Sequence, residues 1–209
     1  MIISLIHNKG GVGKSTLALN LSVILKADLL VDLDNINSTT QLLNIRNKEL
    51  FKLNVATPKD TNSFIELVKD KSIVVVDTAG NDTNLNRTVL AYSDVVITPV
   101  SDSPMELIGL RSFANVIDDV SKILNHKITA YVLVNRISSR KKNFKDLQTF
   151  IEANNCYKMM NTKIPTHSYV KDSTALCLAV TEYKKYSQSA KAMNNLADEI
   201  IKLSEIANG

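Results

Sequence analysis

The sequence predicts an α/β fold, a mostly parallel twisted sheet flanked by helices on both faces. Three observations lead there. Short β-branched runs alternate with stretches of helical periodicity along the whole chain. Each run is nearly continuous in apolar residues, as in strands buried on both faces. The conspicuous polar residues gather just after the runs, where open α/β sheets bind ligands beyond the carboxyl ends of their strands.

The runs cover residues 2–6, 29–33, 73–77, 95–99 and 128–134. Helical spacing fills the intervals. Residues 15–26 carry Leu17, Leu21, Ile24 and Leu25 on one stripe, and residues 61–69 carry Phe64, Ile65, Leu67 and Val68. Ser103 reads as the cap of a long helix that starts at Pro104 and runs to Leu124, with Glu106 completing a Ser-x-x-Glu capping box. Residues 144–153 and 190–206 read as later helices. No repeat, low-complexity tract or linker interrupts the pattern, so the 209 residues are expected to form one domain.

Composition bounds the function classes. The chain is 44% hydrophobic and 22% charged, ordinary for a globular protein able to bury a core without a metal or disulfide staple. Cys156 and Cys177 lack CxxC spacing and are expected to be two thiols in a reducing cytoplasm rather than a disulfide or cluster site. The apolar run at 2–6 is too short for a signal peptide, and no stretch approaches the roughly 20 residues that span a bilayer. A cytoplasmic protein with no membrane partner is therefore expected. The net charge of +4 is unevenly placed. Residues 1–121 carry 11 Lys/Arg against 14 Asp/Glu, whereas the remainder carries 14 against 7. That asymmetry suggests an anionic partner for the second half, or else a lysine-rich solvated surface.

Chemistry concentrates in Asn8-Lys9-Gly10-Gly11-Val12-Gly13-Lys14-Ser15, directly after the first run. Gly13, Lys14 and Ser15 match the end of the pattern G-x-x-x-x-G-K-[S/T], and Asn8 stands where its first Gly would be. Glycines let backbone amides turn inward around phosphates, and the helix that follows points its positive end at the same oxygens. Lys14 supplies a point charge, and the Ser15 hydroxyl is placed to ligate Mg²⁺. The loop thus implies ATP with Mg²⁺ as ligands.

Three carboxylates end later runs. Asp77 closes Val74-Val75-Val76 and precedes Thr78-Ala79-Gly80, the position of a carboxylate that holds Mg²⁺ directly or through water. Gly80 gives the next loop freedom to respond to a γ-phosphate. Asp32 and Asp34 alternate at a strand end, so both face one side and Leu33 the other. Metal support and water activation are one reading of this pair, and helix capping is the other.

Lys9-Gly10-Gly11-Val12-Gly13-Lys14-Ser15-Thr16 carries an additional lysine at position 9, the deviant form of the phosphate loop. With Val31-Asp32-Leu33-Asp34 and Val75-Val76-Asp77-Thr78-Ala79-Gly80, it resembles the ParA/MinD family of ATPases over nearly the whole chain. Pro99-Val100-Ser101-Asp102-Ser103-Pro104-Met105-Glu106 is similar to the proline-containing segment of small plasmid-partition ParA proteins of the ParF type. Val134-Asn135-Arg136 resembles the family's base-contacting strand end, and Ile164-Pro165 followed by Tyr169 its late nucleotide-side loop.

The resemblance implies roles by position. Lys9 would reach across a dimer to the partner's phosphates, while Lys14 serves its own subunit's. Gly10, Gly11, Val12, Gly13, Ser15 and Thr16 would line the phosphates, Asn135 and Pro165 the base. Asp34 would act on the attacking water, and Ser15, Asp32 and Asp77 would hold or support the metal. Members of the family form ATP sandwich dimers, bind DNA without sequence preference, and hydrolyse ATP weakly until stimulated by a ParB-like protein bound to a centromere-like site. The physics of Lys9 agrees: two facing triphosphates repel, and a crossed pair of lysines turns that repulsion into charge-assisted hydrogen bonds. For DNA the basic groups are Arg136, Arg140, Lys141 and Lys142, with Lys145 beside them, and Lys184 and Lys185, with Lys191. A cytoplasmic, nucleoid-associated partition ATPase is the expectation.

The chain departs from the family in places. Asn35-Ile36 stand where Pro-Gln is usual, Lys26-Ala27-Asp28 lacks the usual Gly, and Thr166-His167 follow the Ile-Pro pair where many members carry Arg. With the loop within ten residues of Met1, no N-terminal helix-turn-helix extension is expected. Two alternatives share the fold. A MinD-like membrane ATPase would need a basic amphipathic helix, but 190–207 carries Asp198, Glu199 and Glu205 against Lys191 and Lys202. A small-molecule ATP-dependent ligase would turn Lys9 and Asp34 on its own substrate. An electron carrier with a bridging cluster is disfavoured by the placement of the two cysteines.

Overall fold

The computed structural model describes residues 1–34, 50–101, 103–138 and 143–207. Its centre is a seven-stranded sheet in the order β3-β2-β4-β1-β5-β6-β7, parallel throughout. The strands are β1 (Ile2–Leu5), β2 (Leu29–Asp32), β3 (Val55–Ala56), β4 (Val74–Asp77), β5 (Val95–Val100), β6 (Ala130–Ile137) and β7 (Tyr157–Pro165). The described helices are α1 (Lys14–Ile24), α2 (Thr61–Val68), α3 (Asn84–Tyr92), α4 (Pro104–Leu124), α5 (Lys145–Glu152), α6 (Ser168–Ala175), α7 (Val180–Tyr183) and α8 (Gln188–Ala207).

Two cores follow from the two-residue period of the strands. On β4, Val74 and Val76 face one layer and Val75 the other. Phe64 of α2, Leu90 of α3, Leu110, Phe113 and Ile117 of α4 and Leu147 of α5 fill the first layer. Leu17 and Leu21 of α1 join Met193, Leu196 and Ile200 of α8 in the second. Burying each such Leu or Val contributes about 1.5–3 kcal/mol, which is why runs too apolar for any exposed face settle in the middle of the sheet.

The five expected strands and five expected helices are present, with ends shifted by up to three residues. Two strands and three helices were not expected. β7 reads Tyr-Lys-Met-Met-Asn-Thr-Lys-Ile-Pro, an alternation of inward apolar and outward polar residues that suits an edge rather than an apolar run. Its exposed amides are covered from α8: the Glu199 carboxylate accepts from the backbone N–H of Asn161 (2.7 Å) and Thr162 (2.8 Å). Burial works against that charge, but the amide donors prevail and hold the Glu199 carboxyl below its ordinary range. At the other edge β3 has two residues, too few for a pattern. α3 is capped by Thr83, whose hydroxyl accepts from the Asn86 amide at 3.1 Å. At the start of α4 the Glu106 carboxylate turns to Lys9 and Ser101, a use the capping-box pattern did not suggest.

Without its Gly, the turn at Lys26 takes the left-handed conformation at φ 51°. Asp28 then accepts the amides of Ser72 (2.6 Å) and Ile73 (3.0 Å), tying the start of β2 to β4. Among the described residues no helix is long and apolar enough to cross a membrane.

Candidate functional site

The loop between β1 and α1 is set by two glycines in the left-handed region, Gly11 at φ 80° and Gly13 at φ 98°. Gly13 caps α1 with no side-chain acceptor, so the helix's first amides have no side-chain cap. A Cβ at position 13 would lie 2.6 Å from Asn135 Nδ2, and one at Gly80 would lie 3.0 Å from the Gly10 amide nitrogen. Glycine at both positions lets these three segments approach closely. Open amides at a helix N-terminus, beside a lysine, are suited to an anion.

The two loop lysines are placed differently. Lys14 is buried, its ammonium 3.3 Å from the Lys9 carbonyl, and desolvation lowers its pKa against the pull of Asp77 and Asp34. Lys9 has a side chain 41% exposed, and its ammonium pairs with Glu106 Oε1 at 2.9 Å.

Asp32 and Asp77 are neighbours in register at the carboxyl ends of β2 and β4, and both are buried. Neither Asp77 oxygen has a hydrogen-bond partner among the described residues, although the Ser15 hydroxyl lies near. Burial pushes the Asp77 carboxyl up to about 7; the neighbouring Asp32 and Asp34 add to the rise, and Ser15 and Lys14 oppose it. The Asp34 amide donates to Asp32 Oδ1 at 3.1 Å. Among the described residues no cluster of three or more His, Cys, Asp or Glu could hold a metal by itself. Unpartnered carboxylate oxygens beside a hydroxyl nevertheless fit a hard divalent cation that takes its other ligands from phosphate and water.

Beyond the loop lies a cavity of about 360 Å³, lined in part by Thr16, Asn135, Arg136, Pro165, His167 and Val170. Asn135 is buried and donates to the Val12 carbonyl at 2.8 Å. A largely apolar slot with an amide at its rim can accept a planar base. The structure therefore brings Lys9, Gly10, Gly11, Val12, Gly13, Lys14, Ser15, Thr16, Asp32, Asp34, Asp77, Asn135 and Pro165 to one end of the sheet.

Arg136 is exposed and also reaches the phosphate loop. Its guanidinium donates to the Gly11 carbonyl, so it braces the phosphate loop, and its own backbone sits at φ 55°. Lys184 and Lys185 are exposed at the end of α7, with the Lys184 ammonium 5.9 Å from the Tyr169 ring centroid and Tyr186 beside them 94% exposed. Arg140, Lys141 and Lys142, like Asn35 and Ile36, lie outside the described residues. His167 caps α6, its Nδ1 accepting from the Tyr169 amide.

Sequence reasoning missed the groups behind Lys9. Glu106 is 4% exposed and His7 fully buried, with His7 Nε2 3.6 Å from Glu106 Oε2. The Ser101 hydroxyl donates to Glu106 Oε1 at 3.0 Å. A buried His just before the loop and a mid-helix Gly109 were the available signals. They meet only in three dimensions.

Comparisons with known proteins agree with this geometry. Residues 3–176 match the CobQ/CobB/MinD/ParA nucleotide binding domain. The chromosome-partitioning ATPase Soj of Thermus thermophilus is 25% identical over 235 aligned positions, covering 95% of this chain and 94% of that protein. Among solved structures, the septum site-determining protein MinD of Pyrococcus horikoshii, complexed with Mg-ADP, superposes with a TM-score of 0.71 at 19% identity, covering 99% and 98% of the two chains. A Borrelia burgdorferi protein ascribed to plasmid partition, bound to AMPPNP, superposes at 0.69 with 18% identity, covering 96% and 98%. At these identities the two solved structures show a shared fold.

Proposed function

We propose, from the premise that this chain belongs to the CobQ/CobB/MinD/ParA nucleotide-binding family, that it is a Mg²⁺-dependent ATPase of DNA partition whose two copies pair across bound ATP. The observation that carries the reading is the division of labour between the loop lysines: Lys14 is buried beside Asp77, whereas Lys9 is half exposed at the loop's surface. A single bound triphosphate needs the first. The second, held by Glu106 at the loop's surface, is placed where it can reach another copy's.

The residues take roles accordingly. Amides from Gly10 to Thr16 hold the phosphates at the N-terminus of α1, and Lys14 neutralises them in a desolvated setting where its charge acts strongly. Asn135 and Pro165 position the base. Ser15, with Asp32 and Asp77 directly or through water, would hold Mg²⁺, which when bound neutralises charge that develops on the transferred phosphoryl group. Asp34 orients the water that attacks the γ-phosphate, giving ADP and phosphate from ATP and water. Low basal turnover, raised by a ParB-like protein at a centromere-like site, belongs to the same reading. So do a cytoplasmic, nucleoid-associated location and the plasmid type suggested by the resemblance of the Pro99 to Glu106 segment.

Lys184 and Lys185, with Arg140, Lys141 and Lys142, would meet DNA phosphates, a contact without sequence preference and steeply weakened by salt. The positioning ATPase that works on a membrane is favoured less, because the apolar side of α8 is used on the sheet by Met193, Leu196 and Ile200.

Sedimentation velocity tests the pairing. A dimer with a non-hydrolysable ATP analogue and a monomer with ADP are expected, and equal sedimentation coefficients would end the proposal. Duplex binding by the ATP-analogue state should fall with rising salt; salt-independent binding would contradict phosphate contact.

A further inference from the structure

Three groups converge on Glu106. The Lys9 ammonium lies 2.9 Å from Oε1, the Ser101 hydroxyl donates to the same oxygen at 3.0 Å, and His7 Nε2 stands 3.6 Å from Oε2. Oε2 has no hydrogen-bond partner among the described residues, and neither has either His7 nitrogen. Burial holds the His7 imidazole at a pKa of about 4, so at neutral pH it brings no charge to the pair. The positive partner of this buried carboxylate is therefore Lys9, the one loop residue whose proposed task requires it to leave.

We propose that Glu106 is a positioning residue that latches Lys9 in its own subunit and sets the threshold at which two copies pair on ATP. The inference rests on the reading that Lys9 serves the partner's triphosphate. A buried carboxylate stripped of its cation is strongly disfavoured, so the latched arrangement is favoured until something offers Lys9 more than Glu106 does. A facing triphosphate offers a denser negative charge and several acceptors. A diphosphate offers less. The same pairing explains a helix start rich in donors and acceptors: Ser101 orients Oε1 towards Lys9, and the absent side chain of Gly109 lets His7 pack behind the latch. Lys9 and Glu106 are 97 positions apart, so pairing them constrains the loop and α4 to each other.

The test is a titration of dimer formation with a non-hydrolysable ATP analogue, followed by sedimentation velocity. Glu106→Gln keeps the shape and removes the charge. Removing a cost that the paired state must meet lowers the apparent threshold in proportion to the released fraction, here expected to be about tenfold. Glu106→Asp withdraws the carboxylate by one methylene and should fall between Gln and wild type, which keeps the question open to measurement if the Gln variant folds poorly. A chemical readout accompanies it: without nucleotide, Lys9 should be acetylated several-fold faster in Glu106→Gln than in wild type, by peptide mass spectrometry. Lys9→Ala separates the two readings. If Lys9→Ala does not pair and both Glu106 variants pair at the wild-type threshold, the latch is wrong and the pairing role of Lys9 stands. If Lys9→Ala pairs as wild type does, the pairing role fails and the latch fails with it.

Discussion

Gly109 of α4 packs against the ring of His7: a Cβ at that position would come 2.6 Å from His7 Cε1. Glycine in a helix interior costs about 1 kcal/mol relative to alanine, so its presence needs a packing reason, and the buried imidazole supplies one. Gly109→Ala should therefore destabilise despite its better helix propensity, by about 1–3 kcal/mol as the ring is pushed off its place. A urea midpoint at or above that of wild type would refute the contact.

His7 also predicts a pH dependence. Burial, aided by Lys14 and Lys9 and opposed by Glu106, holds its pKa near 4 in the folded chain, against 6.5 when unfolded. A depressed folded pKa means that the unfolded chain takes up a proton the folded one refuses. The stability present above pH 6.5 is lost as pH falls towards 4, by up to about 3 kcal/mol. Urea unfolding of wild type should show a steeper acid decline over that window than His7→Gln; parallel profiles would contradict it.

Lys26 ends α1 in the left-handed region at φ 51°, and its side chain is exposed. A residue with a Cβ pays there for a conformation glycine adopts freely. Lys26→Gly is expected to raise stability by about 1 kcal/mol, visible as a higher thermal midpoint with unchanged nucleotide affinity.

Arg136 and the Lys184–Lys185 pair should separate cleanly. Arg136 grips the Gly11 carbonyl, so Arg136→Ala should weaken ADP binding by about tenfold, the low end (about 1.5 kcal/mol) of what a hydrogen bond to a charged group is worth. Lys184→Ala with Lys185→Ala should leave ADP affinity alone and reduce the salt dependence of duplex binding by about two phosphate contacts. Fluorescent-nucleotide titrations and DNA binding at several salt concentrations read the two effects, and a reversal of the pattern would put Arg136 on DNA.

Much of this architecture was written in local pattern. The strands β1, β2, β4, β5 and β6 are apolar runs because both their faces are covered, and Lys14 and Asp77 stand at positions fixed by strand ends and a glycine loop. β7 was illegible for the opposite reason: as an edge it alternates, and two of its outward amides are met by Glu199, 37 residues beyond Thr162. Asn135 and Pro165 were suggested by resemblance, since nothing in their own neighbourhoods marks a base pocket. The pairing of Lys9 with Glu106 had no local trace at all, because Ser103 and Glu106 also satisfy a helix-start pattern. The contact of Arg136 with the Gly11 carbonyl, across 125 positions, likewise had no local trace.

Because the strands all run the same way, every turn that enters the sheet lies on the rim remote from the phosphate loop. Lys127, exposed between α4 and β6, is on that rim. Cys156 and Cys177 are both buried thiols, so they compete poorly for a thiol reagent. A fluorophore carried by Lys127→Cys would ride on the far side of the molecule, where it can report tumbling and encounters between copies while leaving the chemistry at the opposite rim undisturbed.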